Sequence, residues 1–486
     1  MDPATVFAGL HAQDAHAFWL DAGPDVPHGW SWVGAGVPEG DPGSIRAVPC
    51  ATAAGEPWEA GRFRGGWVGW LGYDDGAERA GAPARFDDGM PREQWLRVER
   101  FVAFDHAARR AWAVGPGADA GALAAAIEAM DRKPPAAPAA QRGVAARSRH
   151  TAGEYAELIG RCREAIREGD AYQLCLTTRF DVYARVDPLE GYLRLRSATP
   201  AHHGGLLRSG PVALASASPE RFLEVDGGIV RTRPIKGTRP RGADPAADAA
   251  LAEELRTDVK ERAENVMIVD LMRNDLSRVC VPGSVGVDGL LQVESYPAVH
   301  QLVSTVSGAL EPGTTVGGLL EATFPAGSMT GAPKLSAMTI LHRLEGGPRG
   351  VFAGCFGWVG VDGALDLAMV IRSIVVHPGG AYVGAGGGIT WRSDAAAEVA
   401  EVGIKARGPL APSGRRCHPA GEGGVPVTWT FALRASPASF DWFPRVTDPP
   451  ARHHRARRGR RLRRVRDPAQ MAGALGRGRP VPRRRR

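Results

Sequence analysis

A glutamate stands on an otherwise apolar helical face within residues 258–276. Helical spacing gives Glu264 the same face as Met267, Ile268 and Leu271. A carboxylate on such a face is costly unless it is paired with a cation or binds a metal. Two interpretations are open: a buried salt bridge to an arginine, or an oxygen ligand of a hard cation. For the second, Mg²⁺ is favoured because it commonly takes one or two carboxylates.

A second group of carboxylates lies in residues 393–407, which begin with residues that can cap a helix. Glu398, Glu401 and Lys405 share one helical face. Alone, this pattern is typical of a solvated Glu–Lys pair. The glycine run at 384–388 favours a ligand site instead, because glycines let an anion approach backbone N–H groups. Glu401 then joins Glu264 in the predicted Mg²⁺ site.

Residues 324–334 form a glycine-containing turn ahead of a helix that Pro333 helps to start. The free N–H groups at such a helix start favour an anion. The spacing of Gly327, Gly331 and Lys334 differs from that of the phosphate-binding Walker loop, and a carboxylate fits as well as a phosphate. The alternative is a plain turn before a helix.

A single lysine, Lys236, stands in an arginine-rich stretch that follows Glu220. Crowding of cations lowers the pKa of an amine, which is what a nucleophilic lysine needs. The alternative is a general anion-binding patch. The flanking arginines are Arg231, Arg233, Arg239 and Arg241.

The elements that must position these residues alternate irregularly between residues 149 and 410. Thr151 and Glu154 predict a capping box, followed by a helix that Gly169 ends and a strand over 172–180. This order favours an α+β fold with large antiparallel sheets over a repeating parallel unit. We further expect strands at 212–216, 222–225 and 371–376, and helices at 251–279 and 393–407.

The chain divides by composition into three parts. Residues 1–148 are rich in strand-forming and aromatic residues, and glycines alternate with large apolar residues over 63–74. Residues 149–410 carry the candidate chemistry and are expected to fold together with the first part. Residues 411–486 lack periodicity and read either as a disordered extension or as translation of a shifted reading frame.

Composition excludes several classes of protein. Of the 486 residues, 44% are hydrophobic, so a large core can form. No apolar run approaches the roughly 20 residues of a membrane-spanning helix, and no signal peptide is expected at the start. Six scattered cysteines form no CxxC pair, which is typical of reduced thiols in a cytoplasmic protein.

The positive charge of the chain resides in its tail. Residues 450–486 carry 15 arginines and one aspartate, a net charge of +14, whereas the whole chain is +7, so the remainder is −7. The tail has no aromatic residues between its arginines for base stacking. We therefore expect no nucleic-acid partner.

Together and in this order, the four segments resemble the chorismate-utilising enzymes, which include anthranilate, aminodeoxychorismate, isochorismate and salicylate synthases. The resemblance runs over 151–407, and residues 65–74 resemble the N-terminal motif of that family. It implies an anthranilate synthase component I-like fold, in which large antiparallel sheets pack as a sandwich with helices outside.

Two positions resemble the aminodeoxychorismate synthase branch. Lys236 matches a lysine where anthranilate synthases typically carry alanine. Gln173 stands where isochorismate and salicylate synthases place a water-activating lysine, and glutamine suits a member that uses ammonia. Anthranilate synthase and aminodeoxyisochorismate synthase remain the alternatives, and a polyanion-binding protein that acts through the arginine-rich tail is a remote one.

The resemblance implies a role for each candidate residue. Chorismate would be the substrate, Glu220 the general acid and Lys236 the nucleophile, and Mg²⁺ would be held by Glu264 and Glu401 with Glu398 nearby. The residues expected at the substrate are Gln173, Thr330, Arg372, Gly386, Gly388 and Lys405.

The same resemblance identifies two positions at which this sequence differs from the family pattern, and it implies one protein partner. Gln301 stands where anthranilate synthases usually have histidine, with His300 beside it, and Phe352 stands where tyrosine is common. Ammonia from glutamine is expected to come from a separate glutamine amidotransferase subunit. No membrane association is expected.

Overall fold

The computed structural model describes residues 2–24, 26–51, 58–87, 89–131, 134–135 and 146–410. The predicted tail at 411–486 lies outside the described residues, as does Cys417. The five described cysteines are all free thiols in buried positions. None of the helices among these residues combines the length and apolarity needed to cross a bilayer.

Strands make up most of the regular structure. In chain order they are β1 (His16–Asp21), β2 (Trp30–Ala35), β3 (Val37–Pro38), β4 (Gly66–Leu71), β5 (Glu93–Val98), β6 (Phe101–Asp105), β7 (Arg110–Val114), β8 (Ala146–Ser148), β9 (Gln173–Val182), β10 (His203–Ser209), β11 (Val212–Ser218), β12 (Arg221–Asp226), β13 (Ile229–Thr232), β14 (Ile235–Pro240), β15 (Gly286–Ser295), β16 (Val299–Ala309), β17 (Gly331–Ala332), β18 (Cys355–Gly360), β19 (Leu365–Met369), β20 (Ser373–His377) and β21 (Gly380–Ile389).

Helices lie between the strands. They are α1 (Pro3–His11), α2 (Pro42–Arg46), α3 (Tyr73–Arg79), α4 (Asp119–Ala129), α5 (Ala152–Glu168), α6 (Pro188–Ala198), α7 (Pro245–Thr257), α8 (Val259–Ser277), α9 (Val316–Thr323), α10 (Gly327–Thr330), α11 (Lys334–Glu345) and α12 (Ala395–Leu410).

Two antiparallel sheets carry the fold. The first has eleven strands, in the order β17-β9-β21-β20-β11-β10-β1-β2-β6-β7, with β8 beside β9. The second has ten, in the order β14-β16-β13-β12-β19-β18-β4-β5-β3, with β15 beside β16. Strands from both sides of residue 148 share each sheet, because β1 pairs with β10 and β4 with β18.

The facing surfaces of the two sheets form one core, which makes the fold a sandwich. Phe18 of β1 and Trp70 of β4 belong to the same buried cluster, although they come from different sheets. Alternate residues of β1 point to the opposite face, as strand geometry requires, so Trp19 lies in a second cluster. That cluster also holds Tyr155 of α5 and Val402 of α12, which cover the outer face of the first sheet.

The glycine-alternating segment predicted near the N-terminus is strand β4, and it is buried along its whole length. A Cβ at Gly69 would overlap the carbonyl oxygen of Gln94 on the neighbouring strand β5. Glycine is therefore required there by the close approach of two backbones. The α+β fold with large antiparallel sheets is confirmed.

The predicted capping box is present: the Thr151 hydroxyl accepts from the Glu154 N–H, and the Glu154 carboxylate accepts from the Thr151 N–H. The single helix expected over 251–279 is wrong. Two helices, α7 and α8, meet at Asp258, whose carboxylate accepts from the N–H groups of Lys260 and Glu261 and starts α8. An N-cap aspartate thus starts a second helix within the segment that was predicted to form one.

Candidate active site

Glu220, the predicted proton donor, lies just before β12 in a fully enclosed position. It is only 7% exposed, and its Oε1 accepts a hydrogen bond of 2.8 Å from Ser328 Oγ on α10. Burial raises the pKa of Glu220 to about 7, against the opposing effects of Ser328, Lys236 and Lys405. A carboxyl group with that pKa is partly protonated at neutral pH and can act as a general acid.

Lys236 of β14 lies close enough to three of the candidate carboxylates to act on their ionisation. Its positive charge lowers the pKa of Glu220, of Glu264 and of Glu401. The predicted nucleophile therefore lies within electrostatic range of the predicted acid and of two predicted metal ligands.

The four arginines that flank Lys236 in the sequence are paired with carboxylates. Each of them lies within 4 Å of a carboxylate oxygen, although Arg231 shares Glu224 with Arg62 and Arg221. The pairs are Arg231–Glu224 at 3.9 Å, Arg233–Glu294, Arg239–Asp258 at 3.0 Å and Arg241–Asp248 at 2.6 Å.

Glu264 of α8 is buried, and one of its carboxylate oxygens has a counter-ion but no hydrogen bond. Burial raises its pKa to about 7, although Lys236 and Lys260 act in the opposite direction. Its Oε1 makes no hydrogen bond among the described residues, and the nearest cation is Lys260 Nζ at 3.9 Å. An unpartnered buried carboxylate oxygen is expensive, which is typical of a site that binds a further group.

Glu398 and Glu401 of α12 each have a lysine partner. Glu398 accepts from Ser393 Oγ at 2.8 Å and from Lys260 Nζ at 3.1 Å. Glu401 Oε1 lies 2.8 Å from Lys405 Nζ. Burial works against ionisation of Glu401, but Lys405 and the other lysines outweigh it and lower its pKa.

The donor chemistry of these glutamates fits a divalent cation. Two carboxylates, Glu264 and Glu398, both lie within 4 Å of the single nitrogen of Lys260, and one of their oxygens has no partner. Hard oxygen donors of this kind suit Mg²⁺. Within the part of the chain that the structure describes, no three acidic, histidine or cysteine side chains are gathered in ligating positions. Lysine ammonium groups stand among the carboxylates instead.

Arg372 lies at the bend before β20, so the strand expected from residue 371 begins only at Ser373. Its backbone has φ of 52°, a left-handed conformation that a non-glycine residue adopts at a cost. Burial lowers its pKa, and among the described residues its guanidinium makes neither a hydrogen bond nor an ion pair. A planar guanidinium whose N–H donors have no partner among the described residues is suited to binding a substrate carboxylate.

The glycine run forms one wall of the site in β21. Gly388 pairs with Cys175, and a Cβ at Gly388 would overlap Nε2 of Gln173 and would lie 3.6 Å from Glu264 Oε2. The carbonyl oxygen of Gly386 accepts from Lys405 Nζ at 2.8 Å. Gln173 is 1% exposed, and its Oε1 has no partner among the described residues.

The turn at 324–334 contributes to the site through its serine and not through its lysine. Lys334 Nζ is held by Asp275 Oδ2 at 2.6 Å and so faces away from a ligand. The Thr330 hydroxyl donates weakly, at 3.3 Å, to the carbonyls of Ala326 and Gly327 in its own turn. Thr330 makes no hydrogen bond to another candidate residue in the described chain.

His300 does not take the place of the histidine that Gln301 replaces. Its Nδ1 lies 2.8 Å from Ser295 Oγ and its Nε2 lies 2.9 Å from Asp248 Oδ1, so both ring nitrogens are occupied. Gln301 is buried, and its Oε1 has no partner among the described residues.

Lys260 and the ion pair between Glu345 and Arg349 lie beside the candidate residues and were not predicted from the sequence. Lys260 precedes Glu264 by four residues, a spacing that should have identified it as a neighbour. The Glu345–Arg349 pair has the same spacing and is almost wholly buried, with Nη2 and Oε1 2.6 Å apart. Arg349 also donates to the carbonyls of Met329 and Cys175, which ties α10 to β9 beside the site.

A cavity of about 910 Å³ lies elsewhere in the sandwich. None of the candidate residues lines it. Its walls include Trp30, Trp32, Trp358, His202 and Arg221.

Comparison with known proteins places this geometry in a family. The model of the chorismate binding enzymes matches residues 40–411. An aminodeoxychorismate synthase of Streptomyces pristinaespiralis is 41% identical over 396 residues, which are 76% of this chain and 52% of the relative. The chain thus spans about half the length of that relative.

Two further similarities agree with the first. Anthranilate synthase component 1 of Streptomyces coelicolor is 38% identical over 84% of this chain and 86% of the relative. The crystal structure of anthranilate synthase component I from Streptococcus pneumoniae superposes with a TM-score of 0.66 at 29% identity, and the match covers 81% of this chain and 89% of that one. The chain belongs to the chorismate binding enzyme family.

Proposed function

We propose that the chain is the synthase component of an aminodeoxychorismate synthase, which converts chorismate and ammonia to 4-amino-4-deoxychorismate on the route to p-aminobenzoate and folate. The observation that carries this proposal is the position of Lys236, whose charge acts on both Glu220 and Glu264. An amine within electrostatic range of both an acid and the carboxylates that would hold a metal can attack the ring while the acid protonates the leaving group.

The first chemical step would use Glu220 and Lys236 together. The neutral amine of Lys236 attacks carbon 2 of chorismate, the ring double bonds shift, and the bond from carbon 4 to its hydroxyl breaks. Glu220 supplies the proton that lets this hydroxyl leave as water. The nitrogen now bonded to carbon 2 then loses a proton to the Glu220 carboxylate, which the departure of the hydroxyl has left ionised. Burial supports the role because it keeps part of the Glu220 population protonated at neutral pH.

The second step would exchange the lysine for ammonia. Ammonia attacks carbon 4, the double bonds shift back, and the bond between carbon 2 and Lys236 Nζ breaks. One proton of the ammonia passes to Lys236 Nζ, so that the lysine leaves as the neutral amine and the product carries an amino group on carbon 4. The unpartnered Oε1 of buried Gln173 can accept a hydrogen bond from ammonia. Without Lys236, ammonia would add at carbon 2, which is the route to anthranilate.

The substrate carboxylates would be held by groups that the protein leaves without partners. Arg372 offers a fork of donors, and backbone near Gly386 and Gly388 can approach the ligand closely. Glu264 and Glu401, with Glu398 nearby, would hold Mg²⁺, which when bound neutralises a substrate carboxylate and polarises the ring.

The ammonia would come from glutamine through a glutamine amidotransferase. Support for a partner comes from the relative that is named as a first component. The chain matches only half of the S. pristinaespiralis relative, so the complete assembly is part of the proposal.

Product analysis tests the proposal. The protein is incubated with chorismate, ammonium and magnesium, and 4-amino-4-deoxychorismate is expected by mass spectrometry. Lys236→Ala is expected to abolish that product while circular dichroism shows an intact fold. Direct appearance of fluorescent anthranilate with the unaltered protein would overturn the proposal in favour of anthranilate synthase, to which the S. coelicolor relative belongs.

A further inference from the structure

Lysine is scarce in this protein, yet it is concentrated at the candidate site. The sequence holds five lysines among 60 basic residues, so arginine is used almost everywhere else. Three of the five, Lys236, Lys260 and Lys405, act on the ionisation of Glu401. An ammonium is a compact point charge, whereas a guanidinium is a broad plane. The choice of lysine here indicates that the site needs small cations.

Lys260 is the lysine to which the proposed chemistry gives no task. It lies in the first turn of α8, where Asp258 accepts from its backbone N–H at 2.9 Å. Its Nζ lies 3.1 Å from Glu398 Oε1 and 3.9 Å from Glu264 Oε1. It therefore joins a carboxylate of α8 to one of α12, the two helices expected to supply the metal ligands.

The surroundings of Lys260 are those of a cation site. Glu264 Oε1 has no other partner in the described chain, and Glu398 Oε1 also accepts from Ser393 Oγ at 2.8 Å. Glu401 adds a third negative charge that acts on the same ammonium. The nitrogen of Lys260 thus lies within 4 Å of two of the carboxylates expected to bind Mg²⁺, and Glu401 acts on it from a greater distance.

We propose that the ammonium of Lys260 is an internal cation that holds Glu264 and Glu398 together, and that a divalent ion entering the site displaces it. This inference rests on the proposed function, because the magnesium site belongs to that function. A divalent cation and an ammonium that share the same carboxylates repel each other strongly, so both cannot stay close.

The displaced Lys260 side chain can reach solvent. Its side chain is 42% exposed, so rotation about its flexible stem can carry the ammonium into solvent. Displacement by metal would release Glu398 from Lys260 while Ser393 Oγ still supports the carboxylate. Lys260 would in this way set the affinity of the protein for its metal.

Chemical labelling tests the displacement directly. The protein is treated at pH 8 with a limiting amount of an amine-acylating reagent, with and without magnesium chloride, and each lysine-containing peptide is quantified by mass spectrometry. Acylation of Lys260 is expected to rise several-fold with magnesium. Lys334 is the internal control, because its pair with Asp275 lies outside the carboxylate cluster. An unchanged or smaller yield at Lys260 would overturn the inference.

Metal affinity gives a second test that does not depend on turnover. Lys260→Met is titrated with magnesium chloride by calorimetry at pH 8.5, which is above the raised pKa of Glu264. Loss of a half-exposed competing pair worth up to about 1 kcal/mol predicts binding about fivefold tighter. Arg273→Met is the matched control, since it removes a positive charge from the far end of the same helix and should leave the affinity unchanged.

The outcomes separate this inference from the function on which it rests. No magnesium binding by the unaltered protein would remove the metal site and the inference together. Magnesium binding that is unchanged or weaker in Lys260→Met, with an intact fold by circular dichroism, would overturn the inference alone.

Discussion

The hydrogen bond between Ser328 and Glu220 gives a quantitative prediction about the pH dependence of catalysis. Ser328 Oγ donates to Glu220 Oε1 at 2.8 Å in a buried position, and this bond lowers the pKa that burial has raised. A hydrogen bond to a charged group contributes about 1.5 kcal/mol or more, which corresponds to about one pKa unit. In Ser328→Ala the pKa of Glu220 should therefore rise from about 7 to about 8.

The direction in which activity changes with pH follows from the role of Glu220 as a general acid, because the carboxyl group must be protonated to donate a proton. Activity should fall as the pH rises through the pKa of Glu220. At pH 8 the protonated fraction would increase from about one-tenth in the unaltered protein to about one-half in Ser328→Ala. The alkaline limb of kcat/KM should move upward by about one pH unit, whatever happens to its maximum.

The assay is a pH–rate profile with saturating ammonium and magnesium, since kcat/KM for chorismate reports ionisations of the free enzyme. Ser328→Thr keeps a hydroxyl at this position and should leave the limb in place. An alkaline limb that does not move in Ser328→Ala, in a folded protein, would refute the assignment of that limb to Glu220.

Three other substitutions have defined outcomes. Arg349→Met leaves Glu345 buried without its partner and should lower the free energy of unfolding by about 3–5 kcal/mol in urea denaturation, and a loss below 1 kcal/mol would contradict the buried ion pair. Arg372→Lys replaces a fork by a point charge and should raise KM for chorismate about tenfold with a smaller effect on kcat; an unchanged KM would argue against carboxylate binding there. Gly388→Ala places a methyl group where Gln173 Nε2 lies and should lower kcat/KM, and full activity would show that this wall is not tight.

Much of the fold could be predicted from the sequence, because the local sequence features that start and end elements agree with the packing of those elements. The capping box at Thr151 and the left-handed Gly169 that ends α5 are encoded by adjacent residues. The glycine alternation of β4 reflects the close approach of neighbouring backbones. The break at Asp258 was not predicted, and the capping hydrogen bonds of its carboxylate mark the start of the second helix.

The residues of the candidate site could be selected from the sequence, but most of their ion-pair partners could not. Glu220, Glu264 and Lys236 were selected by chemistry and resemblance, and the structure brings them together. The partners of the neighbouring arginines were unpredictable, because Arg233 and Arg241 meet carboxylates 61 and 7 residues away along the chain. The pairing of Lys260 on α8 with Glu398 on α12 likewise depends on the tertiary fold, because the two residues are far apart in the sequence.

The central claim is that the nitrogen of Lys236 bonds to the substrate ring, and trapping that bond tests it most directly. The protein is incubated with chorismate and magnesium without ammonia, quenched in acid and digested, and the peptide containing Lys236 is weighed by mass spectrometry. We predict an adduct on Lys236 with the mass of chorismate less one water, absent from Lys236→Ala. A peptide that stays unmodified in a preparation that makes 4-amino-4-deoxychorismate once ammonium is added would contradict the claim.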